Sequence, residues 1–278
     1  MLLRSVIVSA ALLAGIATAA AQAPLERGKY LMNSIVACGN CHTPQTPQGP
    51  VPGKELAGGT RFEEGFGVAY APNITPDPDT GIGKWSDQEL ITAIREGKRP
   101  DGTIIGPPMP IALYRDMSDA DVQAIVAYLR ATPPVANKVA KSEYKVPLPP
   151  NYGPPVTAPV PTPLRFTKLA LGAYLAGPLG HCIECHSAPG ANGAPDFVNG
   201  LGAGGIQFHG PWGVTIARNI TPTNLKDWSD GDIKKAITTG MRPDGERLKP
   251  PMAYGYYKNI APDDLDAIVA YVRSLKAK

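Results

Sequence analysis

The sequence is poor in several features, and each shortage excludes a class of protein. It has four cysteines and four histidines among 278 residues, and strand-like runs are scarce. No run of Lys or Arg is present and the formal net charge is +3, so a nucleic-acid partner is not expected. The chain also lacks a P-loop, a dinucleotide fingerprint and a Ser/His/Asp array, which excludes the commonest enzyme classes recognisable by motif.

Long hydrophobic runs are missing except at the N-terminus. Arg4 precedes an almost wholly apolar stretch of small residues, Val6 to Ala21, which ends in small-x-small cleavage sites. The run is shorter than the roughly 20 residues that a spanning helix needs. We therefore predict a signal peptide over residues 1–21, cleaved on export, and a periplasmic location for the mature chain.

Proline and glycine are abundant, with 31 and 30 residues, which predicts much loop between short helices. Eight of the prolines fall between residues 146 and 164, a stretch without charge that favours extended geometry. We interpret it as a linker between a first unit, residues 24–145, and a second unit, residues 165–278.

The two units are copies of one fold. Cys-x-x-Cys-His occurs at Cys38 and again at Cys182, and the later matches keep almost the same offset. The shared segments are "NITP", "WSD", "RPDG", "PPM" and a closing "AIVAY". Ser86 with Glu89 forms a capping-box pattern before an apolar helical stripe, and Ser229 begins the equivalent stripe. The fold class expected is mostly α.

The Cys-x-x-Cys-His motif has several possible uses. Two thiols on one helical turn with an adjacent histidine suit a haem bound by two thioethers, with the imidazole reaching the iron. Zinc is a rival, but the pairs are 144 residues apart. A redox dithiol would be expected in a βαβ context, which this sequence lacks. A disulfide across two residues would stabilise the fold little. We predict two covalently bound haem c groups, with the thioether and proximal iron ligands at Cys38, Cys41 and His42, and at Cys182, Cys185 and His186.

The duplication also nominates a second axial ligand. Met109 and Met252 occupy the same "PPM" loop of each unit, and a thioether sulfur is an axial haem ligand in electron-carrying cytochromes. Met32, Met117 and Met241 have no methionine at the matching position, so we assign them to packing or surface roles.

Other shared residues carry weaker expectations. Trp85 and Trp228 could pack on a haem edge, although ordinary core packing is as good an account. The arginines of "RPDG", Arg99 and Arg242, could pair with propionates or lie in solvated turns. Histidines outside the motifs are interpreted as non-ligands, namely His181 and His209.

Taken in order, "NITPD", "TGIGKWSDQEL", "RPDG", "PPM" and "MSDADVQAIVAYLR" resemble the multihaem c-type cytochrome subunits of bacterial alcohol, gluconate and aldehyde dehydrogenase complexes. The resemblance covers nearly the whole mature chain. It implies tandem class I cytochrome c domains, His/Met ligation, a dehydrogenase catalytic subunit as donor, and a cytochrome, quinone or oxidase as acceptor. It implies membrane association only through that partner. Several such subunits carry three domains, whereas this sequence shows two.

Three functions remain open from the sequence. A dihaem electron carrier without substrate chemistry is the leading one. A dihaem peroxidase or oxidase would need one iron with a free coordination position. A disulfide-stapled binding module would have no visible absorption.

Overall fold

The computed structural model describes residues 23–46, 49–191, 193–210 and 212–278. The predicted signal peptide lies outside these residues. Across the described ranges, no helix combines the length and the apolar character needed to cross a membrane. The chain is mostly helical with short β-hairpins, which confirms the predicted fold class.

The first unit begins with a helix over 23–33 (α1). It continues with α2 (Cys38–His42), β1 (Gln45–Thr46), β2 (Gly49–Pro50), β3 (Arg61–Glu64), β4 (Gly67–Tyr70), α3 (Asp87–Glu96), α4 (Ile111–Tyr114), α5 (Asp119–Ala131) and β5 (Glu143–Tyr144). β3, β4 and β5 form an antiparallel sheet in that order, in which Val68 pairs with Glu143.

The second unit repeats the order of the main helices and of the hairpin β3–β4, without counterparts of β1, β2 and β5 among its described residues. Its elements are α6 (Lys168–Tyr174), a π-helical turn (Leu175–Leu179), α7 (Cys182–His186), β6 (Gln207–Gly210), β7 (Gly213–Ile216), α8 (Pro222–Leu225), α9 (Asp230–Thr239), α10 (Tyr254–Tyr257) and α11 (Pro262–Ser274). β6 and β7 form an antiparallel hairpin equivalent to β3 and β4.

Helix ends follow the sequence signals closely. The Ser86 hydroxyl accepts from the Glu89 N–H at 3.2 Å, and the Glu89 carboxylate accepts from the Ser86 N–H at 2.7 Å, so the predicted capping box is confirmed. Ser229 begins α9 in the same way. Each cysteine pair lies on its own short helix, α2 or α7, and a short break separates that helix from the one before it. Ala37 and His181, with φ of 50° and 39°, re-aim the backbone there.

Each unit is closed by a close crossing of its first and last helices. A Cβ on Gly28 would lie 1.9 Å from the Ala124 carbonyl oxygen, and one on Gly172 would lie 2.0 Å from the Ala267 oxygen. Only glycine lets the helix backbones approach to this distance. Cys38 of α2 packs against the same core as the terminal helices.

The two units hold each other through reciprocal polar contacts. The Tyr174 hydroxyl of unit 2 donates to Asp121 at 2.7 Å and accepts from the Ser118 N–H at 3.0 Å, at the start of α5. The Tyr30 hydroxyl of unit 1 does the same to Asp264 at 2.7 Å and the Ala261 N–H at 3.1 Å, at the start of α11. Tyr30 and Tyr174 occupy matching positions in the two units, so the two sets of contacts are equivalent.

Removing the hydroxyl of Tyr174 is expected to destabilise the protein. Tyr174→Phe leaves the buried carboxylate of Asp121 and the Ser118 N–H each without one partner, which typically costs about 1–3 kcal/mol. Urea unfolding followed by circular dichroism measures the loss. Tyr128→Phe, whose hydroxyl accepts one exposed bond from Asn33, is the matched control and should change stability by about 0.5 kcal/mol or less.

The proline-rich segment runs over unit 1 and has no helix or strand between residues 146 and 164. The Tyr152 hydroxyl donates to the Ile105 carbonyl at 2.8 Å, and the Val156 N–H donates to the Glu96 carboxylate at 3.0 Å. The segment therefore covers the loop that leads to Met109.

Candidate functional site

A cavity of about 820 Å³ is lined by residues of both units. All eight side chains nominated as haem attachments or iron ligands border it: Cys38, Cys41, His42, Met109, Cys182, Cys185, His186 and Met252. The walls are otherwise largely apolar, with Ile82, Leu129, Ile233 and Val272 among them. A flat, apolar group with a few polar edges suits such a space.

The two motif histidines are oriented identically. His42 Nδ1 lies 2.8 Å from the Pro72 carbonyl oxygen, and His186 Nδ1 lies 2.7 Å from the Arg218 carbonyl oxygen. A ring that donates through Nδ1 leaves Nε2 with a lone pair for a metal. Burial lowers the pKa of both imidazoles, against the opposing effect of the carbonyl bond, so both are neutral at pH 7.

The four cysteines are unpaired in the structure. Burial, with a smaller effect of the Cys41 charge, raises the pKa of Cys38 to about 12. Burial likewise raises the pKa of Cys41 and Cys182 to about 11 and raises that of Cys185 further. A redox dithiol needs an accessible thiolate of lowered pKa. These raised pKa values are not the lowered values typical of a redox dithiol.

The methionine loops are also built alike. Met109 and Met252 are partly buried against the core, and each lies two residues before a short helix, α4 or α10. The Met109 carbonyl accepts from Ile111 at 2.8 Å and the Met252 carbonyl from Tyr254 at 3.0 Å. Met117 borders the cavity as well, but Ile260 stands at the matching place in unit 2, which supports a packing role for Met117.

The tryptophans and "RPDG" arginines border the same cavity. Arg99 donates to Thr103 and to the Ile104 carbonyl, whereas Arg242 pairs with Asp244 and Glu246. The buried Nε of Arg242 has no hydrogen-bond partner among the residues that the structure describes. A donor of this kind at the cavity wall fits the acidic edge of a haem. The donor set and the cavity together fit the cofactor predicted from sequence.

The histidines outside the motifs have other contacts. His181 borders the cavity and lies edge-on to the Tyr114 ring, 6.1 Å between centroids. His209 is exposed and bonds Glu64 of unit 1 at 2.9 Å, so it joins the hairpins of the two units.

Sequence reasoning missed two buried tyrosines of the cavity wall. Tyr114 and Tyr257 are 4% and 7% exposed, and they occupy matching positions after the "PPM" loops. Burial raises the pKa of both phenols well above the usual value, so they remain neutral. Extending the internal alignment past the methionines would have found them.

Two family models match the chain, one in each unit. The model for cytochrome c oxidase, cbb3-type, subunit III matches residues 23–129, and the model for cytochrome c matches residues 170–276. These matches define a c-type cytochrome with two tandem cytochrome c domains.

Relatives agree with this class. A protein named diheme cytochrome c-type from Cereibacter sphaeroides is 33% identical over 251 residues, covering 86% of this chain and 82% of that protein. A nicotinate dehydrogenase subunit of Pseudomonas putida is 32% identical over 270 residues, which is 92% of this chain and 22% of that protein. The cytochrome c subunit of alcohol dehydrogenase (quinone) of Gluconacetobacter polyoxogenes is 31% identical, over 95% of this chain and 59% of that protein.

The chain belongs to the dihaem c-type cytochrome family and carries two covalently bound haem c groups, one in each domain. The resemblance inferred from the sequence is thereby confirmed. The chain spans 59% or less of the two dehydrogenase subunits, so their activities and assemblies are not transferred to it directly.

Proposed function

We propose that this protein is a periplasmic electron carrier that accepts electrons from a dehydrogenase catalytic subunit and passes them to a respiratory acceptor. The observation that carries the proposal is the presence of one complete ligand set in each unit, with histidine and methionine bordering the same cavity. Two sites with the same set of nominated ligands suit serial electron transfer, since neither set leaves out a ligand to make room for a substrate.

The placement of the nominated residues supports a role for each of them. Cys38 and Cys41 bind the first haem as thioethers, and Cys182 and Cys185 bind the second. His42 and His186 present Nε2 because a backbone carbonyl holds Nδ1–H. Each haem supplies an iron that changes oxidation state by one electron.

Methionine sulfur completes each site. Met109 and Met252 would bind the iron of the two haems through their thioether sulfurs, a kind of ligand that favours the reduced state of the metal relative to a nitrogen ligand. The largely apolar wall limits water at both sites, and Arg242 offers a cation to the acidic edge of the second haem. These residues hold and orient the group.

The partner and the compartment rest on the relatives and the N-terminus. Two of the matched proteins are named as subunits of nicotinate and alcohol dehydrogenases, which supports a dehydrogenase as the donor. The apolar N-terminal run supports export. A dihaem peroxidase is the alternative, but a methionine in both equivalent loops does not favour an open site.

A redox-titrated visible spectrum of the holo protein tests the carrier function. We expect two reversible one-electron transitions, low-spin spectra in both oxidation states, and little carbon monoxide binding to the reduced protein. His209→Ala serves as a control, because this exposed histidine bonds Glu64 and not the cavity. A high-spin haem in the wild type that reacts with peroxide would favour the peroxidase alternative instead.

A further inference from the structure

A segment that follows α5 in the chain contacts the loop that leads to Met109. We call this segment, residues 143–156, the strap. The Tyr144 hydroxyl donates to the Pro107 carbonyl oxygen at 3.1 Å. The ring of the same tyrosine lies against Gly106, which is buried, and a Cβ on that glycine would lie 2.5 Å from a ring carbon. One side chain of the strap therefore holds two consecutive residues of the loop.

A second tyrosine of the strap holds the preceding residue of the loop. The Tyr152 hydroxyl donates to the Ile105 carbonyl oxygen at 2.8 Å. The Ile105 N–H donates to the Gly97 carbonyl oxygen at 2.7 Å, at the end of α3, and ring carbons of Tyr152 lie 2.9 Å from where a Cβ of Gly97 would be. Both backbone polar groups of Ile105 are thus bonded, and the loop is fixed between α3 and the strap.

The strap is itself anchored to several elements of unit 1. At one end β5 pairs with β4. Further along, the Val156 N–H donates to the Glu96 carboxylate of α3 at 3.0 Å, and Arg115, at the end of α4, donates to the Pro154 carbonyl. These contacts lie before and after Met109 in the chain. A functional side chain is held in one position when the groups around it are fixed in this way.

The matching loop of unit 2 has a different residue at the contact point. The Leu248 N–H donates to the Gly240 carbonyl oxygen at 2.7 Å, as the Ile105 N–H does at the end of α3. The next residue, however, is Lys249, where unit 1 has Gly106. A side chain at the place of Gly106 would collide with the tyrosine ring, so the glycine of unit 1 fits the presence of the strap.

We propose that Tyr144 and Tyr152 are positioning residues for Met109, which keep this methionine at the cavity wall and set how readily it leaves the iron of the first haem. The proposal rests on the proposed function, because that function makes Met109 a ligand. Both hydroxyl bonds exist while the loop is in place and are lost when it moves out. They therefore lower the population of chains in which the sulfur is displaced.

Imidazole binding to the oxidised holo protein tests the proposal. Imidazole takes the place of the methionine, so its apparent affinity rises with the population of displaced loop. Tyr144→Phe and Tyr152→Phe should each raise the apparent affinity of the first haem for imidazole about fivefold, because each removes one hydroxyl bond of the closed loop. The double variant should bind imidazole more tightly than either single variant. Before imidazole is added, the variants should keep both sulfur-to-iron charge-transfer bands.

The two haems are distinguished in the same titration. In Met109→Ala no methionine has to leave the first haem, so the binding phase that changes in this variant belongs to that haem. The phase of the second haem, whose nominated ligand is Met252, should be the same in the wild type and in the tyrosine variants. Gly106→Ala pushes against the Tyr144 ring from the loop side and should also raise the affinity of the first haem, with both hydroxyls intact.

Tyr30→Phe is the matched control for a general loss of stability. It removes a partly buried hydroxyl that donates to Asp264 at 2.7 Å and accepts from the Ala261 N–H at 3.1 Å, both in unit 2. Its free energy of unfolding should fall, yet its affinity for imidazole should match that of the wild type. A merely structural role of the strap tyrosines predicts the same behaviour for all three phenylalanine variants.

Two results would overturn the positioning role alone. One is a wild-type affinity for imidazole in the double variant, and the other is an equal rise in Tyr30→Phe. Failure of the proposed ligation has a different signature, because Met109→Ala would then keep the charge-transfer band of the first haem. If Met109→Ala loses that band while the strap variants bind imidazole as the wild type does, Met109 is a ligand that the strap does not position.

Discussion

Replacing Cys38 and Cys41 together with alanine is expected to leave one of the two covalently bound haem groups in place and to remove the other. Each cysteine pair lies on its own short helix, α2 or α7, and each has its own histidine held by a separate carbonyl, so attachment in one unit does not need the other pair. The Cys182→Ala and Cys185→Ala pair should give the mirror result.

The measurement is the mass of the denatured chain together with its haem absorbance. Denaturation removes haem that is held only by packing and axial ligands, whereas thioether-bound haem stays with the chain. His209→Ala should retain both groups, because it bonds Glu64 outside the cavity. Haem fully extracted from the wild type by acid-acetone, or two groups retained in the double variant, would contradict the assignment of the cysteines.

The variant should also be less stable than the wild type. The cavity is shared by both units and its walls belong to the common core, so the loss of one haem removes the apolar group that those walls contact. A lower midpoint of thermal unfolding, with the remaining haem still low-spin, is the expected outcome.

Local features of this fold could be predicted from sequence because short-range chemistry decides them. The capping boxes at Ser86 and Ser229 and the left-handed glycines that follow, Gly97 and Gly240, fix where α3 and α9 begin and end. Each pattern also occurs twice in the sequence, once in each unit, which supported the nomination of the ligands. All the nominated ligands border one cavity.

Contacts between the units could not be predicted in the same way. Tyr30 and Asp264 are 234 residues apart, and neither pattern nor propensity indicates that they pair. Gly39 is a similar case, because a Cβ there would lie 2.3 Å from the Tyr256 hydroxyl of the other unit. Such contacts depend on how the surfaces of the two folded units pack against each other.

The third strand of unit 1 was also missed. β5 has only two residues, Glu143 and Tyr144, and it lies just before the proline-rich segment, where sequence composition indicates extended chain without a partner. Its pairing is decided by the neighbouring edge of β4 and by the cavity that Tyr144 borders. Tertiary contacts therefore make a strand of a segment whose own sequence does not indicate one.

Removing either nominated methionine is expected to change one haem and leave the other unaltered. Met109 and Met252 border the cavity in matching loops, and thioether sulfur favours the reduced iron relative to nitrogen ligands. Met109→Ala and Met252→Ala should each abolish about half of the sulfur-to-iron charge-transfer absorbance, lower the potential of one haem, and let carbon monoxide bind that haem.

Two other methionines provide the controls that separate ligation from packing. Met32 is buried in the core, and Met117 is buried at the cavity wall where Ile260 serves unit 2. Met32→Ala and Met117→Ala should lower stability by about 2–5 kcal/mol through the cavity that each leaves, yet keep both charge-transfer bands. A band lost in Met117→Ala, or unchanged ligand fields in Met252→Ala, would move the sixth ligand elsewhere. If the wild type itself bound carbon monoxide at one haem, that haem would have an open position, and the peroxidase alternative would become the better account.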